Sequence, residues 1–125
     1  MTVKKYYNIA KTKLFPINRS LTGIGVRKTL NLIKKEFPKL KIEKLKSGTK
    51  VFDWKIPKEW NVTDAYVIDK HNNKIIDFKK NNLHLVGYST SIKKSISKGK
   101  LFENLYFLKN QPKAIPYVTS YYKNR

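Results

Sequence analysis

The sequence has 125 residues, 40% of them hydrophobic and 16 of them aromatic, which is enough for one domain with an apolar core. No run approaches the roughly 18 apolar residues of a membrane span, and the N-terminus lacks the apolar stretch of a secretory signal. Because the sequence has no cysteine, it excludes a disulfide framework, a thiolate metal site and a cysteine nucleophile. We therefore predict a cytoplasmic protein with no membrane partner.

The formal charge of +20 suggests contact with a polyanion. Lysine outnumbers arginine 25 to 3, however, and arginine is the residue that favours bidentate contact with phosphates and guanine edges. We therefore expect nucleic acid to bind only non-specifically and in a salt-sensitive way. Seven of the eight acids lie between Glu36 and Asp77, so both ends of the chain are basic and predict contact with something acidic.

Two helices are predicted in the first third of the chain. Residues 3–14 favour the first, and Pro16 ends it. The second can be capped by Ser20 or Thr22, and Pro38 stops it. Its apolar residues recur at helical spacing, at Val26, Leu30, Ile33 and Phe37.

From Leu40 onward the apolar residues alternate, which is typical of strands. Strands are predicted at 40–46, 51–56, 62–69, 74–78 and 83–89, with turns at Gly48 and at 70–73. Phe52, Trp54 and Ile56 would share one face of the second strand and form core. A short helix is expected near Ser97, followed by Pro112 and Pro116 and then by an extended tail over 117–125. The fold class is therefore α+β, with N-terminal helices before a small, mostly antiparallel β-rich domain with one short helix.

Histidines, which catalytic and metal sites commonly need, are sparse. His71 lies in the turn "KHNNK", where a solvated loop residue is the simplest interpretation. His84 lies in "NNLHLVGYS" and is interpreted as a structural histidine rather than a ligand or a base. Two separated histidines do not supply the three or four converging ligands of a zinc site.

The other chemistry-bearing residues also have structural interpretations. The acids Asp53, Glu59, Asp64 and Asp69 show no spacing typical of a paired acid and base, and in so basic a chain each is expected to have a lysine neighbour. Gly23 and Gly25 are expected to form a turn that starts a helix, since no phosphate-binding fingerprint surrounds them. Trp54 and Trp60 favour core over a stacking platform. We predict no catalytic, metal-binding or cofactor-binding residue in this chain.

Four blocks carry a resemblance to a known family: "LFPINRSLTGIGVRKTL", "SGTKVFDWKIPKEWNVTDAYVID", "DFKKNNLHLVGYS" and "QPKAIPYVTSYYK". In this order and spacing they resemble the N-terminal part of a bacterial aminopeptidase-like family. The resemblance implies a zinc aminopeptidase-type domain interrupted by a small β-rich domain of unknown function, with a winged-helix domain at the C-terminus. Family members are often linked to polysaccharide biosynthesis loci.

The resemblance also implies a division of the chain. Residues 1–50 would begin the aminopeptidase-like domain, residues 51–120 would form the inserted β-rich domain, and residues 121–125 would be a truncated tail. The family's zinc ligands and catalytic base are expected beyond Arg125, so zinc is expected only in the complete family protein and no such role transfers to a residue here. The expected partner is the remainder of the peptidase domain or a separate catalytic chain.

Two alternatives stay open at the level of sequence. The chain could be a stand-alone basic module that holds nucleic acid or an acidic polysaccharide. It could also be a subunit that completes a separately encoded catalytic half.

Overall fold

A computed structural model describes residues 2–118 and divides the chain into two compact units, Met1–Thr63 (unit 1) and Asp64–Arg125 (unit 2). The elements of unit 1 are α1 (Val3–Ile9), a π-helical turn (Ala10–Leu14), α2 (Ile24–Glu36), β1 (Lys50–Val51) and β2 (Trp54–Lys55). Those of unit 2 are β3 (Tyr66–Ile68), β4 (Lys74–Asp77), a 3₁₀ turn (Asn82–His84) and α3 (Lys98–Phe102). The α+β organisation is as predicted, with shorter strands.

The predicted first helix is confirmed, and it ends in the wider π-helical turn. The Arg19 guanidinium donates to the carbonyl oxygen of Leu14 at 2.6 Å. The last carbonyls of a helix have no partner within it, so this side chain satisfies one of them. Arg19 thereby ties the end of the first helical segment to the loop that leads into α2.

The second helix forms as predicted, but its cap differs from the prediction. The N-cap is Gly23, whose φ of +127° suits a residue without a Cβ, and neither Ser20 nor Thr22 takes this position. The Asn61 side chain instead accepts a hydrogen bond from the backbone N–H of Ile24 at 2.7 Å. A residue 37 positions downstream thus performs the usual task of a local cap.

Contacts at the far end of α2 join it to α1. The rings of Tyr6 and Phe37 stack with centroids 5.6 Å apart. Beside them, Lys5 and Glu36 form an ion pair at 2.5 Å. The two helices of unit 1 therefore meet through one aromatic pair and one partly exposed charge pair, which together contribute modestly to stability.

The predicted single strand over 51–56 is wrong, because this stretch is a tight hairpin. Val51 pairs with Trp54 and Lys50 with Lys55, so the chain reverses at Phe52 and Asp53. Phe52 has a φ of +53° and is 91% exposed, while Trp54 is 49% exposed. The reversal breaks the alternation on which the predicted core face depended. The turn at Gly48, with a φ of +87°, is confirmed.

Two further predicted strands do not form. Residues 40–46 have no regular secondary structure, and most of their side chains are exposed. In the stretch 83–89, the Asn81 side chain accepts from the backbone N–H of Leu83 at 3.0 Å and starts the 3₁₀ turn. Asparagine favours such turns because its side chain competes with strand pairing for the backbone.

The predicted hairpin of unit 2 is confirmed. Strands β3 and β4 pair antiparallel, with Tyr66 opposite Asp77 and an irregularity after Val67. Asp69 organises the connecting loop, because its Oδ1 accepts from the backbone N–H groups of His71 at 2.8 Å and Asn73 at 2.9 Å. A two-stranded sheet of this size is only marginally stable by itself.

The predicted short helix near Ser97 is also confirmed. Ser97 caps α3, and its Oγ accepts from the backbone N–H of Lys100 at 3.3 Å. Leu101 lies within the helix, and Leu105 lies beyond its end. The predicted tail, 121–125, is outside the described residues.

Burial is shallow in the described part of the chain. Among residues 2–118 no hydrophobic side chain is fully buried, and the buried charged residue is Asp77, at 8% exposure. A domain with a closed core buries several leucines, isoleucines or phenylalanines completely. Both units therefore leave apolar surface uncovered.

Candidate functional site

The longest-range polar contacts of unit 1 lie at the start of α2, where residues 20–27 meet residues 59–61. We call this the α2 junction. Asn61 caps the helix at Ile24, as described above, and Ser20 Oγ donates both to the carbonyl oxygen of Thr22 and, at 3.2 Å, to that of Trp60. These bonds hold the backbone of residues 60–61 against the helix N-terminus.

A charge pair completes the α2 junction. The Arg27 guanidinium contacts both carboxylate oxygens of Glu59, with Nη1 close to Oε1 and Nη2 3.0 Å from Oε2. Bidentate geometry of this kind fixes orientation as well as distance. The bond from Arg27 lowers the pKa of Glu59 below its ordinary value, and the bond from Glu59 raises the pKa of Arg27. Both side chains are about half exposed, so solvent screens the pair.

Two glycines let neighbouring segments of the chain approach closely at the α2 junction. A Cβ on Gly25 would lie 1.9 Å from the carbonyl oxygen of Asn18, and a Cβ on Gly23 would lie 2.7 Å from Asn61 Oδ1. At Gly25 the overlap is with backbone, so a larger residue requires backbone movement. At Gly23 the nearest atom belongs to the Asn61 side chain, and the positive φ of +127° is the further reason that glycine suits the position. The structure therefore supports the predicted role of this pair in a turn that starts a helix.

Three carboxylates of unit 2, those of Asp64, Asp69 and Asp77, contact a lysine or backbone N–H groups and do not form an acid–base pair. Asp64 pairs with Lys79 at 2.9 Å, and this bond lowers the pKa of Asp64. The buried Asp77 accepts from the backbone N–H of Lys79 at 3.0 Å and lies 3.5 Å from Lys74 Nζ. For Asp69, the side chain and backbone of Asn73 lower the pKa. Each of these carboxylates has a structural task.

Both histidines lie in unit 2, in structural surroundings. His71 is exposed in the hairpin loop, as predicted. His84 lies in the 3₁₀ turn rather than in a strand, and its Nδ1 is 3.4 Å from the carbonyl oxygen of Asp77. That contact agrees with a structural histidine.

The described residues do not fit a zinc centre. Within residues 2–118, no group of three or more His, Asp or Glu side chains is close enough to share a metal ion. A zinc site needs at least three such ligands at about 2 Å from the ion. We therefore derive no chemical step through zinc from this chain.

The tryptophans differ in their surroundings. Trp60 is half-buried at the α2 junction, where its carbonyl oxygen accepts from Ser20. Trp54, predicted to be core, is half-exposed on β2. The sequence singled out both rings but missed Arg27 and Asn61, because their partners lie 32 and 37 positions away and no local pattern marks such pairs.

A family model described as "Domain of unknown function (DUF2172)" matches residues 59–125, which is more than half of the chain. This chain belongs to that family. The match begins at Glu59, the residue that pairs with Arg27 at the α2 junction.

Across residues 2–118, none of the helices is both long enough and apolar enough to cross a bilayer.

Two relatives from Clostridium acetobutylicum extend the comparison. One, provisionally named a polysaccharide biosynthesis protein with an aminopeptidase-like domain, is 51% identical over 117 residues, or 94% of this chain and 26% of the relative. The other is a crystal structure of a protein provisionally named a peptidase, with a TM-score of 0.91 and 50% identity over 97% of this chain and 28% of that one. The chain thus spans about a quarter of the length of these relatives.

Proposed function

We propose that this chain is the N-terminal part of an aminopeptidase-like protein and serves it as a structural and docking part without catalytic groups. The observation that carries this proposal is the close likeness to a quarter of the Clostridium acetobutylicum relatives: half of the residues are identical and the TM-score is 0.91. The proposal also accounts for the α2 junction, which would attach the start of the DUF2172 domain to a helix of the first unit.

The chemistry of the described residues supports a structural role. The carboxylates of the junction and of the β3–β4 hairpin are engaged by Arg27, Lys79 or backbone N–H groups, and both histidines lie in turns. The zinc and the peptidase activity would belong to the portion of the complete protein that this chain does not span. The cytoplasmic location stays a prediction.

Two measurements on the isolated 125-residue chain test this proposal. Elemental analysis after extensive dialysis is expected to find no stoichiometric zinc, and chromogenic aminoacyl anilides are expected to remain uncleaved. The full-length Clostridium acetobutylicum relative, purified in the same way, is the comparison sample. Tight zinc at one ion per chain, or hydrolysis by the isolated chain, would show that the catalytic groups are here after all.

The charge of +20 favours a second candidate, a stand-alone module for polyanions. Affinity that falls with salt does not test it, because any protein with this charge behaves so. The informative measurement is binding to DNA, RNA and acidic polysaccharides at high salt. Selectivity for one polymer that persists there would favour the module, whereas uniform loss of binding favours the structural role. A subunit for a separately encoded catalytic half would instead co-purify with a zinc-containing chain.

A further inference from the structure

The stretch 92–108 of unit 2 exposes an unusual amount of apolar side chain. Six large hydrophobic residues are each at least 40% exposed: Ile92, Ile96, Phe102, Tyr106, Phe107 and Leu108. The stretch also has four lysines, all between positions 93 and 100, against the single acid Glu103. We call this stretch the basic apolar segment. Soluble monomers rarely leave so many neighbouring apolar residues uncovered without using them for contact.

A small cluster gives the segment a local structure. The rings of Phe102 and Phe107 meet edge to face with centroids 6.4 Å apart, and the ammonium group of Lys98 lies 5.7 Å from the centre of the Phe102 ring. Helix α3, capped by Ser97, holds Lys98 and Phe102 in this arrangement. Phe107 nevertheless remains 54% exposed and Phe102 48% exposed, so the cluster is formed but not covered.

The composition of the segment favours a polypeptide as its partner. Single-stranded nucleic acids stack on open aromatic rings, whereas here two of the rings are turned toward each other and half of the six exposed residues are aliphatic. An amphipathic membrane helix needs several turns, and α3 has five residues. Aliphatic and aromatic side chains with a charged rim are typical of protein interfaces.

The occupant can be specified further. Its rim must be acidic, because the segment offers lysines and almost no counter-charge. The relatives extend over about three to four times the length that this chain spans, so they hold ample polypeptide to cover the segment. We propose that the basic apolar segment docks onto an acid-rimmed apolar surface of the aminopeptidase-like portion of the same protein. This proposal rests on the proposed function and names the surface that it uses.

A chimera tests the docking. The matching quarter of the Clostridium acetobutylicum relative is replaced by this chain, and amide hydrogen exchange is compared between the chimera and the isolated chain. Docking predicts that the amides of 92–108 exchange at least about tenfold more slowly in the chimera. The variants Phe102→Asp and Phe107→Asp are expected to reverse this protection in the chimera. In the isolated chain they remove only the contacts of two half-exposed rings, so the change in exchange there should be much smaller than in the chimera.

The matched control is Phe52→Asp, the same chemical change at an exposed phenylalanine of unit 1. It is expected to leave exchange at 92–108 unchanged in the chimera, and an equal loss of protection there would contradict a specific docking surface. A second outcome is a chimera that has the same unfolding temperature as its parent while the amides of residues 92–108 exchange as fast as in the isolated chain. In that case the proposed docking surface is wrong and the proposed function stands. A chimera that fails to fold as its parent does contradicts both proposals. Protection that appears only with DNA or with anionic phosphatidylserine vesicles also overturns the docking, in favour of those partners.

Discussion

Different kinds of contact stabilise unit 1 and unit 2, each within itself. In unit 1, hydrogen bonds from Arg27, Ile24 and Ser20 reach residues 32, 37 and 40 positions away. In unit 2, a hairpin and side-chain capped turns organise the chain around Asp69, Asp77 and Asn81. Unit 1 therefore depends on closing a long loop, whereas the contacts of unit 2 form between near neighbours.

This difference indicates which part of the structure a substitution should destabilise. A change at the α2 junction should release a whole helix from residues 59–61, because the junction is where the two stretches are tied. A change in a turn of unit 2 should act on that turn and on the adjoining strand. The following predictions test this contrast, beginning with the largest expected effect.

Gly25→Ala should have the largest effect. The added Cβ would lie 1.9 Å from the carbonyl oxygen of Asn18, and backbone atoms on both sides must move to relieve the overlap. We expect the free energy of opening α2 to fall by about 3 kcal/mol, the upper part of the range for overpacking. Native-state hydrogen exchange of the α2 amides measures this free energy of opening.

Gly99→Ala is the matched control, since nothing lies within 4 Å of a Cβ at this helical position. Alanine favours helix by about 1 kcal/mol over glycine, so α3 should become slightly more stable. Equal loss of protection in both variants would show that the close approach at Asn18 does not matter.

Asp77→Ala probes the turn that follows β4. Removing the carboxylate leaves the backbone N–H of Lys79 without its acceptor and takes away the charge beside Lys74. We expect a loss of about 2 kcal/mol in the stability of the β3–β4 hairpin, because an unsatisfied buried donor costs that much. Asp77→Asn keeps an acceptor oxygen and should recover about half. Amide exchange in β3 and β4 is the measurement, and a loss confined to α2 would contradict the assignment.

Asn61→Ala should weaken α2 by about 1 kcal/mol, the usual effect of losing an N-cap side chain. Asn61→Asp keeps the acceptor for the Ile24 N–H and adds a negative charge beside the helix N-terminus, but it loses the amide bond to Glu59 and sets two carboxylates side by side. It should therefore recover only part of the loss seen in Asn61→Ala. Exchange of the α2 amides distinguishes the two. Identical behaviour of both variants would mean that Asn61 does not cap the helix.

The smallest effect is expected from acid. The pKa of Glu59 is lowered in the folded chain by Arg27, so its stabilising contribution is present above the unfolded pKa and is lost as pH falls through the folded pKa. Glu59→Gln should therefore lose less protection in α2 than the wild type when the pH drops below the ordinary glutamate value of 4.5. Asp64→Asn should show the same pattern in the β3–β4 hairpin, because Lys79 lowers the pKa of Asp64. Equal loss of amide protection at low pH in wild type and variant would show that these ion pairs do not contribute to the acid sensitivity.

Much of the local structure could be predicted from the sequence. Both N-terminal helices, the turn at Gly48, the β3–β4 hairpin and the cap at Ser97 follow from periodicity and turn chemistry, which act between neighbouring residues. The strands predicted at 40–46 and 83–89 failed because alternation alone does not supply a pairing partner. The stretch 51–56 failed because a two-residue reversal at Phe52 leaves no mark in an alternating pattern.

The sequence by itself determined the helices, the hairpin, the excess of positive charge and the scarcity of catalytic side chains, all of which are local or compositional properties. Only the tertiary structure decided that Asn61 caps α2, that Arg27 pairs with Glu59 and that Gly25 lies against Asn18. It also decided which apolar residues stay exposed along 92–108. These are contacts between residues that the chain must first bring together, and the spacing of residue types along a sequence does not encode them.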